Sequence, residues 1–169
     1  MPPATPPPDG TPEPGGAAPA APPGRIEIRL PSRADFLGAV RSVLRGFLEE
    51  CLEVRVPPED VAAIQMALQE ACINVVRHAH ARDPSLPLVV AISTDRDRLV
   101  IEVEDFGPGL PEPRLRPPDP DPAHPREGGY GLFIMREAMD EVRSEQRDGK
   151  HVLVMVRDLR RPPAPGGGA

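Results

Sequence analysis

The chain has 169 residues, a formal net charge of −6 and 26 prolines, ten of them within the first 24 positions. Its arginines are scattered among acids, so there is no basic footprint for a nucleic acid. No apolar run approaches the ~20 residues of a membrane-spanning helix, and the N-terminus lacks the basic and apolar regions of a signal peptide.

Residues 1–24 and 161–169 hold little that could be buried, and both are expected to be disordered tails. The stretch between them, 25–160, is the size of one domain with one core and two layers. Cys51 and Cys72 fall on predicted helices without metal-ligand spacing. They read as core thiols in a reducing compartment rather than as a disulfide.

Residues 25–30, RIEIRL, alternate apolar and charged, as in a half-buried strand at a sheet edge. Ser32 is then a plausible N-cap for a helix over 32–52, with Phe36, Leu37, Val40, Val43, Leu44, Phe47, Leu48 and Cys51 as its apolar stripe. Pro58, Glu59 and Asp60 suit the start of a second helix. It runs to His80, and Asp83-Pro84 and Pro87 end it. Val61, Ile64, Leu68, Cys72, Val75 and Ala79 form its buried stripe. Glu70, Asn74 and His78 recur at four and four, which stacks three polar groups on another side.

Residues 88–93 and 99–104 are β-rich runs joined by a short polar link, which predicts an antiparallel hairpin with Leu99, Ile101 and Val103 on its apolar face. Asp105 closes the second run, and Gly107 and Gly109 follow. A loop over about 110–128 carries seven prolines between positions 111 and 125. It is either a lid or a tolerated insertion. A helix over 130–139 follows Gly128 and Gly129. Two strands around Asp148-Gly149 complete the chain, the last of them interior to the sheet. The count is three helices and about five mostly antiparallel strands, with the helices on one face: an α+β two-layer sandwich.

Three segments carry possible chemistry. The amide oxygen of Asn74 suits a hard cation that takes its other ligands from phosphates, although a lone asparagine more often faces solvent or caps a helix. Glu70, one turn earlier, could accept a proton from an attacking hydroxyl, or could be a surface glutamate. Asp105 before glycines could accept a hydrogen bond from the exocyclic amine of a flat heterocycle, or could start a turn. The glycines before Leu132 could form an anion site at a helix start, or an ordinary junction.

In sequence order these are Glu70-x-x-x-Asn74 on a helix, Asp105-x-Gly107-x-Gly109 after a strand, a lid-like loop, and Gly129-x-Gly131 opening a helix. That order resembles the N, G1 and G2 boxes of the GHKL ATPase superfamily, over nearly all of 25–159. The wording EACINVVRHAH, VEDFGPGL and GGYGLFIMREAMDEV is similar to the anti-sigma factor serine/threonine kinases in particular. The resemblance implies the Bergerat, or histidine kinase-like ATPase, sandwich with ATP and Mg²⁺ as cofactors. Asn74 would coordinate the metal and Glu70 would act as the base. Asp105 would bind adenine, and Gly107, Gly109, Gly129, Gly131 and Leu132 would frame the nucleotide. It further implies a bacterial cytoplasmic homodimer that phosphorylates a serine on an anti-anti-sigma factor and alternatively holds a sigma factor. Two other readings are a nucleotide-sensing regulator that switches partners without phosphorylating, and a detached ATPase domain of a phosphorelay. The proline-rich loop is a departure from the family's usual lid.

Overall fold

The computed structural model describes residues 24–52, 54–80, 83–95, 97–106 and 130–161. The expected tails lie almost wholly outside them, and so do the loop at 110–128 and Gly107, Gly109 and Gly129. Strand β1 (Arg25–Pro31) leads through a 3₁₀ turn (Ala34–Phe36) into α1 (Leu37–Glu50). Helix α2 (Pro58–Asn74) continues as a π-helical turn (Val75–Ala79), and strands β2 (Pro87–Asp95) and β3 (Arg98–Asp105) follow. Helix α3 (Tyr130–Ala138), β4 (Glu141–Arg147) and β5 (Lys150–Asp158) complete the described elements.

The sheet order is β1-β2-β3-β5-β4, and every neighbouring pair is antiparallel. As expected, β1 is an edge and β5 is interior. At the β4–β5 turn Asp148 and Gly149 both have positive φ, 51° and 77°. That is the backbone hand which matches the twist of a tight hairpin.

The core lies between the sheet and the three helices. Leu37, Val40, Leu44, Phe47 and Leu48 are the buried side of α1. Val61, Ile64, Leu68 and Cys72 do the same for α2, and Leu99, Ile101 and Val103 meet them from β3. Each large aliphatic side chain removed from water in this way stabilises the fold by roughly 1.5–3 kcal/mol.

Among the described residues no helix covers the opposite sheet face. Val152, Val154 and Val156 of β5 are buried there with Val100 beside them. Long charged side chains arch over these valines. Arg25 from one edge strand donates to Glu102 at 2.7 Å, and Arg147 from the other edge donates to the same carboxylate. Lys150 reaches Glu104 at 3.1 Å. The aliphatic stems of these cations shield the valines while their heads stay wet. Burial pushes the Glu102 carboxyl up, but the two arginines outweigh it and hold the group below the usual carboxylate range.

Three local expectations change. Ser32 does not cap a helix. Arg33 is extended, the chain turns through the 3₁₀ segment, and no side chain caps either start. Cys51 is exposed while Cys72 is buried, because α1 ends at Glu50 and Cys51 lies just past its packed stripe. The second helix does not stay α-helical to His80, a change that matters at the site.

Candidate functional site

Helix α2 brings Glu70 and Asn74 to a shared, partly buried flank. Four residues separate them, so they stack one turn apart. Helix α3 comes up against this flank at Gly131. A Cβ built on Gly131 would stand 2.7 Å from Glu70 Oε2, 3.5 Å from Glu70 Cβ and 3.6 Å from Asn74 Nδ2. Only a residue without a side chain lets the start of α3 come this near while Glu70 keeps its rotamer. Residues far apart in sequence, Glu70 with Asn74 and Gly131, thus form one corner.

At this corner the start of α3 has the polarity an anionic ligand needs, with the Glu70 carboxylate beside it. The first N–H groups of a helix have no intrahelical acceptor and carry the positive end of its dipole. The first turn of α3 contains no acidic residue to satisfy them. Leu132, the next residue, is buried in the core. Its side chain anchors α3, so any contact to a ligand would come from its backbone.

Asp105 is the last residue of β3 and is buried. It pairs across the sheet with His151 of β5. Phe106, just beyond, is exposed. The Arg29 guanidinium stands 5.8 Å and the Lys150 ammonium 5.2 Å from its ring centre, so cations from β1 and β5 flank one aromatic ring.

The link between Asn74 and Asp105 is a residue that sequence reading passed over. After Asn74 the helix widens, and the His80 N–H bonds to the Val75 carbonyl five residues back at 2.9 Å. Such π turns often mark functional sites. In this widened turn His78 is exposed, while His80 turns inward to 2 % exposure. His80 Nε2 accepts the Phe106 backbone N–H at 3.2 Å. A nitrogen that accepts carries no proton, so the neutral ring holds its proton on Nδ1 and donates it to Ser32 Oγ, 2.8 Å away. Burial lowers the His80 pKa despite the opposing fields of Asp105 and Asp83. The signal was present in sequence: a polar residue directly after the buried Ala79. It needed the π turn to become legible.

The donor set fits a magnesium–nucleotide pair. One asparagine oxygen is a hard ligand of the kind Mg²⁺ accepts beside waters and phosphate oxygens, and the glycine-backed helix start beside it leaves backbone room for phosphate. A buried carboxylate at a strand end suits an amine donor.

Known proteins resemble the chain in sequence and in fold. Residues 30–157 match the histidine kinase-like ATPase domain family. The serine-protein kinase RsbW of Bacillus licheniformis is 31% identical over 142 residues, covering 80% of this chain and 86% of the relative. The enzyme of the same name from Halalkalibacterium halodurans is 30% identical over 143 residues, 82% and 86% of the two chains. Among solved structures, the RsbU and RsbW domains of Rv1364c from Mycobacterium tuberculosis superpose with a TM-score of 0.57 at 23% identity. That match spans 82% of this chain and 33% of the longer one. The SiaB–SiaC complex from Pseudomonas aeruginosa gives 0.54 at 15% identity, over 78% and 88%. At these identities the two structures speak for the fold alone.

Proposed function

The chain belongs to the histidine kinase-like ATPase domain family, and from that premise we propose that it is an ATP-dependent serine-protein kinase of the partner-switching, anti-sigma type. The observation that carries the reading is the corner at Gly131, where Glu70 and Asn74 meet the start of α3. The kinase name borne by its relatives supports the activity. A folded domain over 25–160 would contain the whole site.

Each residue then has a task. The Asp105 carboxylate accepts a hydrogen bond from the adenine amine and sets the base. The amides around Gly131, with Gly129 and the backbone of Leu132, hold phosphate oxygens at the start of α3. Gly107 and Gly109, outside the described residues, are the glycines that the family resemblance assigns to framing the nucleotide. Asn74 offers its oxygen to Mg²⁺. Glu70, one turn away, takes the proton of an incoming serine hydroxyl. When bound, magnesium ATP supplies the phosphoryl group and neutralises its charge, and the protein's share is mainly positioning.

The protein acceptor is a serine-bearing anti-anti-sigma factor, and the alternative partner is a sigma factor. A homodimer would use β1 and α1, where Phe36 of the intervening 3₁₀ turn and Val43 of α1 are exposed. The test of the nucleotide site is calorimetric titration with ATP, with and without Mg²⁺. Wild type is expected to bind, and Asn74→Ala and Asp105→Asn to lose most of that binding. Wild-type protein that binds no ATP would overturn the proposal.

A further inference from the structure

We propose that His80 is a positioning residue for nucleotide binding, acting through the Phe106 amide. The inference rests on the reading that Asp105 receives adenine.

The amide that His80 holds belongs to the peptide bond joining Asp105 to Phe106. Fixing that peptide plane fixes ψ of Asp105, and with it the point from which the carboxylate leaves the chain. Strand β3 ends at Asp105, so Phe106 is the first residue whose amide needs an acceptor outside the ladder. His80 supplies that acceptor from the end of the helix that carries Glu70 and Asn74. One buried side chain thereby couples the metal-binding helix to the base-binding strand end.

The ring is in turn held by Ser32. The Phe106 N–H can only donate, so it sets the tautomer with Nε2 bare, and Ser32 Oγ, 2.8 Å from Nδ1, accepts the proton that this tautomer leaves there. Ser32 itself is 2 % exposed, and its own N–H bonds the Leu86 carbonyl at 3.2 Å. The relay therefore runs from the chain before β2, through Ser32 and His80, to Asp105. A purely structural histidine would need only to be buried and satisfied. This one must keep Nε2 unprotonated, since a proton there would face the Phe106 N–H.

Two amide isosteres separate the two bonds. In the full chain, His80→Gln can place an oxygen where Nε2 stood, which keeps the Phe106 bond and gives up the Ser32 bond. His80→Asn does the reverse. ATP affinity in the presence of Mg²⁺ is read by calorimetry, with Asp105→Asn as the control for the underlying reading. The expected result is an affinity about tenfold weaker in His80→Asn and within about threefold of wild type in His80→Gln, as one hydrogen bond predicts. Equal loss in both isosteres, or loss in neither, while Asp105→Asn abolishes binding, overturns the role of His80 and leaves the adenine reading intact. Undiminished binding by Asp105→Asn overturns the reading itself. If the His80 variants do not fold, the ¹⁵N spectrum of the wild-type ring decides. A protonated Nδ1 and bare Nε2 near neutral pH are expected, and a protonated Nε2 overturns the proposal.

Discussion

Gly131 lies so close to Glu70 that a Cβ at that position would stand 2.7 Å from the carboxylate oxygen Oε2. The obstructing atom is the end of a flexible side chain, so the fold has a way to yield. Gly131→Ala is therefore expected to leave stability within about 1 kcal/mol of wild type, since alanine is also the better helix former. The carboxylate must swing aside, and phosphoserine formation should fall at least about tenfold, as displacement of a general base implies. A thermal melt beside a single-turnover phosphorylation assay separates the two effects.

Arg157 is a buried cation inside the domain. Its guanidinium lies 3.4 Å from Asp60 at the start of α2 and 3.7 Å from Asp140 before β4. Removing it leaves the buried Asp60 carboxylate without its cation, while Asp140 is exposed and keeps Arg161 at 2.9 Å. Arg157→Met is expected to cost about 3 kcal/mol in urea unfolding. The double variant with Asp60→Asn should recover part of that loss, because the two sites are coupled.

Stability should fall on mild acidification through His80. Burial holds its pKa below the ordinary 6.5, against the opposing pull of Asp105 and Asp83. Between the folded value and 6.5 the unfolded chain binds a proton that the folded chain refuses. The contribution is thus fully present above pH 6.5 and is lost as pH falls below it. Unfolding free energies measured from pH 7.5 to 5 should decline over this window, and less steeply in His80→Gln.

The two cysteines should behave differently. Cys72 is fully buried in α2, and desolvation pushes its thiol up to about 12. Cys51 is exposed at the end of α1. A thiol reagent near neutral pH should modify one cysteine in the native protein and two after denaturation, with mass spectrometry placing the first on Cys51.

Much of this was legible in the sequence because it depends on local rules. The alternation in β1, the apolar stripe of α2 and the Asp148-Gly149 turn each announce their element within a few residues. The order of Glu70, Asn74, Asp105 and Gly131 pointed to a candidate site, and the structure brings Glu70, Asn74 and Gly131 together. What stayed hidden depended on how the backbone departs from regularity. A straight α-helix stacks His78 above Asn74, whereas past the π turn it is His80 that is buried, against Ser32 and the Phe106 amide. Ser32 follows a strand and precedes a helix, as a cap would. Its hydroxyl instead serves a histidine 48 positions away, a pairing that no local rule contains. Cys51 continued a helical stripe that the helix itself did not reach.

The central claim is that Glu70 serves the chemical step at a nucleotide site. The measurement that tests it most directly compares Glu70→Gln with wild type for both ATP affinity and acid-stable phosphoserine formed on the anti-anti-sigma partner. Glutamine keeps the size and loses the base. The account predicts an ATP affinity within about threefold of wild type and a phosphorylation rate lower by about a hundredfold or more. A Glu70→Gln protein that phosphorylates its partner at the wild-type rate would contradict it.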